Sequence, residues 1–354
     1  MSDASVARET IAALGAGRMG RGIATAFAYA GHEVWLLDIR PRPPGQAEAL
    51  RREAMAEIDA SLAAMARWGA FDDALRPAIL DRVHFAARDA AAAALARADV
   101  VFEGVPEVQD AKREAFTFAA PHLRPDALLA STTSSFLVTQ LAAFAPRPER
   151  FLNAHWLNPA HIIPLVELSA HPGTAPEASS ALSALLERIG KVPVMCAATP
   201  GYIVPRLQSL VMNEAARMIE QGVASAEEID RATRYGLGFR FANMGVVEFI
   251  DFGGNDILYY ASRYLAQALD DPRYASPAIV DRQMREQRNG LRDGKGFYDF
   301  TGVDVASYRT QALERMLGML AHFGMLRPPA GGQPGPTTSQ LPHRFPNPST
   351  KELS

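Results

Sequence analysis

A short apolar run that ends on a glycine constrains this chain more than any other feature. In ETIAALGAGRMGRGIATAFAYAGHEVWLLDIR, residues 9–40, the run stops at Gly15 and a helical apolar pattern follows over residues 19–29. Gly31 is a helix stop, and EVWLLD reads as a second buried strand. Strand, tight turn, helix and strand make a βαβ unit, which implies a parallel sheet. Gly15, Gly17 and Gly20 form G-x-G-x-x-G, and Asp38 ends the second strand. The three glycines serve, in order, a tight turn, close approach of backbone to a pyrophosphate, and close helix–strand packing. The helix N-terminus then offers free N–H groups to the phosphates, with Arg18 and Met19 in the same turn. Asp38 is placed to accept from the adenosine ribose hydroxyls and to repel a 2′-phosphate, which favours NAD over NADP. Arg40 and Arg42 stand close by and act against that preference.

Further along, residues 45–69 read as one long helix, and strand and helix patterns alternate until KVPVMCA. From residue 201 to about 268 the pattern is helical with no strand candidate. That change in style predicts an NAD-binding Rossmann-type α/β domain over 1–198, with a doubly wound parallel sheet, and an all-α domain over 199–302. A helical extension is expected over 303–326 and a disordered Pro/Gly/Ser-rich tail over 327–354. The net charge of −3 and the lack of a basic run argue against a nucleic-acid partner. No stretch of about 18 unbroken apolar residues predicts a membrane span. The start, MSDASVARET, lacks signal-peptide character, and one cysteine, Cys196, excludes an internal disulfide and suits the cytoplasm. No metal-ligand spacing is present.

NAHWLNPAHIIPLVELS, residues 153–169, sets His155, Asn158, His161 and Glu167 in an apolar run. Buried polar groups are costly without partners. If His155 and Glu167 lie on two strands joined by the Pro-rich turn, they can face each other. A glutamate bonded to one imidazole nitrogen fixes the tautomer and leaves the other nitrogen as a base. A satisfied structural histidine is the competing reading.

Taken in order, GAGRMGRGIA, FEGVPEVQDAKREAF, STTSSF, HWLNP, PLVE, TPGYIVPRL and GKGFYDF resemble the L-3-hydroxyacyl-CoA dehydrogenase family over roughly residues 9–300. The resemblance implies a Rossmann domain with NAD, a helical C-terminal domain that forms a homodimer, and a small-molecule substrate. It places the catalytic histidine and its orienting glutamate on His155 and Glu167. It places the active-site serine on Ser134 and an asparagine near the nicotinamide on Asn158. Glu107 and Lys112 match a pair bordering the nicotinamide ribose, and Ser61 a position on the substrate side of the long helix. The reaction implied is oxidation of a 3-hydroxyacyl-CoA, such as 3-hydroxybutyryl-CoA in fatty acid metabolism, to the 3-oxo compound, or the reverse.

Two departures keep the substrate open. Pro205 stands where the family carries an active-site asparagine. Trp68 occupies an expected lysine position on the long helix, with only Arg67 basic nearby, and polyanion binding without a basic cluster is weak. GLGFRFANMGVVE looks more like free-acid relatives such as L-gulonate 3-dehydrogenase and carnitine dehydrogenase. An arginine fork suits a carboxylate, so Arg240 is a candidate substrate residue, unless it pairs with Glu248 or Asp251. A 3-hydroxyacyl-CoA substrate, a free hydroxy acid or polar alcohol, and a catalytically weak NAD(H)-binding role all remain open from the residues alone.

Overall fold

A computed structural model describes residues 8–43 and 45–332, and the rest of the expected tail, 333–354, lies outside the described residues. The chain divides into two compact units between Asn213 and Glu214.

The first unit is built on eight strands: β1 Ile11–Leu14, β2 Val34–Asp38, β3 Val83–Ala87, β4 Val100–Glu103, β5 Leu128–Ser131, β6 Phe151–Trp156, β7 Leu165–Ala170 and β8 Val192–Cys196. They form one sheet in the order β3-β2-β1-β4-β5-β6-β7-β8. Pairing is parallel from β3 to β6, β7 runs antiparallel to β6, and β8 is parallel to β7. The order reverses direction between β1 and β4, and ligands of such sheets bind outside the carboxyl ends of the strands at that point. The helices of this unit are α1 Arg18–Tyr29, α2 Gln46–Arg67, α3 Arg76–Leu80, α4 Arg88–Leu95, α5 Gln109–Ala119, α6 Val138–Ala142 and α7 Pro176–Arg188.

Strand alternation divides the core into two layers. Ile11, Ala13, Leu36, Phe102 and Trp156 face one side, where Phe27 of α1 and Leu182 of α7 close over them. Ala12, Leu14, Leu37, Val101 and Phe151 face the other, against Phe116 of α5 and Leu141 of α6. Full burial of each large side chain contributes about 2–3 kcal/mol. On β6, Leu152, Ala154 and Trp156 join the first layer, which turns Asn153 and His155 to the opposite face with Phe151. On β7, Val166 and Leu168 likewise leave Glu167 and Ser169 on that other face. The polar side chains of the two strands therefore share one face at the end of an otherwise apolar hairpin.

Helix α8, Val204–Glu220, contains the junction between the units. The second unit continues with α9 Ala226–Ala232, a π-helical stretch Thr233–Gly238, α10 Phe239–Asn243, α11 Val246–Gly253, α12 Asn255–Ala268, α13 Ala278–Arg285 and α14 Val305–His322. No strand occurs here among the described residues, only isolated bridges from Gly290 to Lys295 and Lys295 to Asp299. Asp251 anchors that GKGFYDF hairpin by accepting from the N–H groups of Phe297 at 3.0 Å and Tyr298 at 2.8 Å. Among the described residues no helix is long and apolar enough to cross a membrane.

Candidate active site

The glycine loop joins β1 to α1. Gly15 has φ +123°, a conformation that L side chains rarely adopt, and a Cβ there would meet the Gly104 carbonyl oxygen at 2.8 Å. A Cβ on Gly20 would meet the Gly15 carbonyl oxygen at 2.0 Å, so α1 can pack this close only because Gly20 has no side chain. Gly17 is different: a Cβ there meets nothing within 4 Å. The space beside Gly17 opens on a cavity of about 330 Å³, lined among others by Gly15, Arg21, Asp38, Arg40, Arg42 and Val105. An open approach to backbone N–H groups at one end and a carboxylate at the other fits a dinucleotide. Arg18 and Met19 open α1 beside this loop. Asp38 is buried at the end of β2 and is held by Arg42, whose Nε and Nη2 both donate to its carboxylate, the latter at 3.2 Å.

The catalytic candidates meet at the end of β6. His155 and Glu167 are direct cross-strand partners. His155 Nδ1 lies 2.8 Å from Glu167 Oε2, and its Nε2 lies 3.1 Å from Ser134 Oγ. Glu167 is fully buried, and its Oε1 accepts from the N–H groups of Ile203 at 2.9 Å and Val204 at 2.8 Å, at the start of α8. Those donors hold the carboxylate and leave Oε2 for the imidazole. A carboxylate only accepts, so Nδ1 carries the proton and Nε2 accepts from the Ser134 hydroxyl. Asn158 is exposed just after β6.

Glu107 shapes the serine loop. Its Oε1 accepts from the Thr133 hydroxyl, from Ser134 N–H at 3.0 Å, and from Ser135 N–H and Oγ at 2.9 and 2.8 Å. Burial works against its charge, yet the Thr133 and Ser135 hydrogen bonds and Lys112 hold its pKa down to about 2. Lys112, 1 % exposed, sits 3.1 Å from both Glu107 and Glu103. Burial raises the Glu103 carboxyl, opposed by Lys112 and by Ser131 Oγ, which donates to it at 2.5 Å.

The remaining candidates lie on other elements. Ser61 Oγ donates to the Glu57 carbonyl of its own helix at 2.9 Å. Trp68, the C-cap of α2, is 78 % exposed. Arg240 lies in the second unit, on α10, exposed and with its guanidinium 5.5 Å from the Phe249 ring centroid. Pro205 sits in the first turn of α8, where a missing N–H costs nothing, and lines a cavity of about 650 Å³ together with Arg206, Ser209 and Asn213.

Tyr202 was not foreseen. Its ring stacks on His155, with centroids 4.8 Å apart and planes 13° apart. Its hydroxyl donates to the Thr133 carbonyl and accepts from Asn153 Nδ2, both at 2.9 Å. Burial raises its phenol above the ordinary range, so it stays a donor. The backbone has φ +44° at Tyr202, the strained left-handed region, directly after Gly201. The only sequence signal was a lone aromatic in TPGYIVP.

Comparison with known proteins agrees with this geometry. The model for the 3-hydroxyacyl-CoA dehydrogenase NAD-binding domain matches residues 10–199, and that for the C-terminal domain matches 201–300. A 3-hydroxybutyryl-CoA dehydrogenase of Bradyrhizobium diazoefficiens is 32% identical over 83% of this chain and 96% of its own. A 5-formyl-3-hydroxy-2-methylpyridine 4-carboxylate 5-dehydrogenase of Mesorhizobium japonicum is 28% identical over 87% of this chain and 96% of its own. The crystal structure of a 3-hydroxyacyl-CoA dehydrogenase from Archaeoglobus fulgidus superimposes with a TM-score of 0.70 at 29% identity, covering 90% of this chain and all of that one. With both domain models matched in order across residues 10–300, the chain belongs to the 3-hydroxyacyl-CoA dehydrogenase family, NAD-dependent oxidoreductases acting on a CH–OH group.

Proposed function

We propose that the chain oxidises the hydroxyl of a small alcohol that carries a free carboxylate; Arg240, in the second unit, is the candidate residue for that carboxylate. One observation carries this reading. Glu248 and Asp251, the acidic residues named above as alternative partners of Arg240, are engaged elsewhere. Glu248 accepts from the Tyr308 hydroxyl at 2.5 Å and faces Arg315 at 4.0 Å, while Asp251 is used by the GKGFYDF hairpin. Arg240 is left exposed over an aromatic ring and forms no ion pair among the described residues, which suits its fork to a planar anion. The M. japonicum relative, named for a pyridine carboxylate, is in keeping with it.

In this reading His155 accepts the hydroxyl proton at Nε2. Glu167 stabilises the imidazolium that forms, and the N–H groups of Ile203 and Val204 keep Glu167 from turning away. Ser134 Oγ donates to the substrate oxygen, and Asn158 borders the same end of β6. Bound NAD⁺ supplies the hydride acceptor. A general base so placed contributes about 10²–10⁴-fold.

A second reading, oxidation of a 3-hydroxyacyl-CoA, is favoured by the 3-hydroxybutyryl-CoA dehydrogenase relatives. Arg240→Ala separates the two. For a carboxylate substrate KM rises by about 10–100-fold with kcat far less affected, as expected for loss of a charged hydrogen bond. An unchanged KM on every carboxylate that turns over refutes the role of Arg240.

A homodimer is part of the proposal. Helix α8 buries no residue, and Leu207, Leu210 and Val211, neighbours around the helix, are 46%, 64% and 48% exposed, a face suited to a second copy. Light scattering behind size exclusion is expected to give twice the chain mass. A monomer at micromolar concentration contradicts it.

A further inference from the structure

We propose that the adenosine end of the cofactor pocket accepts a 2′-phosphate, so that the chain binds NADP(H) as well as NAD(H). An aspartate at the end of β2 discriminates against NADP only if its charge faces the ribose uncompensated. Here it does not. Asp38 is 4% exposed, and both of its oxygens are taken by the Arg42 guanidinium. Arg40 lines the same cavity, is exposed, and forms no ion pair among the described residues. Arg88, at the end of the neighbouring strand, donates to the Ile39 carbonyl and brings a third guanidinium close to β2's end. Arg21 also lines the pocket, but Glu53 and Glu57 neutralise it. The ribose end thus holds one carboxylate against two cavity-lining cations, Arg40 and Arg42, a net positive charge.

Local sequence makes this arrangement stiff. In RPRPPG, Pro41 and Pro43 flank Arg42, and a proline ring fixes φ. The two arginines therefore leave β2 on a short constrained segment. For a ribose with a free 2′-hydroxyl, Arg42 stays on Asp38 and shares it. For a 2′-phosphate, Arg42 turns its fork from the carboxylate to the phosphate, and Arg40 adds the second donor. Planar, bidentate recognition of phosphate is what guanidinium geometry supplies best.

The test is equilibrium titration of the purified full chain with NADH and NADPH by nucleotide fluorescence, with ADP and 2′,5′-ADP as competitors. The expected NADPH dissociation constant lies within about thirtyfold of that for NADH, and 2′,5′-ADP competes at least as well as ADP. Arg42→Ala is expected to weaken NADPH by about tenfold or more while NADH binding is kept or tightened, because Asp38 is released. Retained NADH binding shows that the variant is folded. Arg40→Ala, which breaks no ion pair, provides the second variant and should weaken NADPH alone. A wild-type preference for NADH above about thirtyfold overturns the proposal, as does equal weakening of both nucleotides in Arg42→Ala.

Discussion

Glu167→Gln is an isosteric change whose consequence follows from four atoms. Glu167 Oε1 accepts from two backbone N–H groups at 2.9 and 2.8 Å, so a glutamine there must keep its carbonyl oxygen on that side. Its NH₂ then points at His155 Nδ1, across the 2.8 Å now bridged by Oε2. Two donors cannot face each other, so Nδ1 gives up its proton and Nε2 takes it. Nε2 then presents N–H to Ser134 and to substrate, and the base is lost. The negative charge opposite the imidazolium is lost as well. We expect kcat to fall by about 10²–10⁴-fold, or about 3–5 kcal/mol of barrier. Both backbone hydrogen bonds survive, so a stability change below about 1 kcal/mol and a Tm shift within about 2–4 °C should accompany it. The assay is NADH formation at 340 nm, with NADH titration and calorimetry on the same preparation. A kcat within about threefold of wild type, with the fold intact, would refute the tautomer argument.

Three further outcomes are expected. Gly20→Ala places a methyl 2.0 Å from the Gly15 carbonyl and should abolish NADH binding with a large loss of Tm, whereas Gly17→Ala meets nothing in the protein and should leave Tm unchanged while weakening NADH; equal Tm losses would contradict this. Tyr202→Phe removes the hydroxyl shared by Asn153 and the Thr133 carbonyl, at a cost of about 1–3 kcal/mol read by chemical denaturation, and an unchanged midpoint would count against that network. Because the Glu107 pKa is depressed from 4.5 to about 2, its stabilisation is complete above pH 4.5 and is lost as pH falls towards 2; Glu107→Gln should flatten that acid limb, and an unaltered limb would show the carboxylate to be idle.

Much of the first unit was legible because its signals are local. Gly15, Gly17, Gly20 and Asp38 each follow from backbone sterics, and β6 and β7 from alternation. The His155–Glu167 pairing followed from two strands and one turn, and the register places the two opposite each other. Strand β3 carries no comparable signal: VHFAA has His84 in its middle and runs directly into α4 with no turn between. Tyr202 was unreadable because its stacking on His155 depends on a left-handed residue, a property that no side-chain pattern reports. The Glu107 cradle was equally hidden, since it is made by backbone N–H groups some 27 residues away. The Arg42 grip on Asp38 shows the same limit: proximity in sequence was visible, the bidentate contact was not.

The most direct test of the account is NADH formation at 340 nm by wild-type chain and His155→Gln, over a panel split between carboxylate-bearing alcohols and short 3-hydroxyacyl-CoA thioesters. The account predicts turnover in the carboxylate half, and its loss by about 10²-fold or more in His155→Gln with NADH affinity kept. Turnover confined to the thioesters, or full activity without His155, would contradict it.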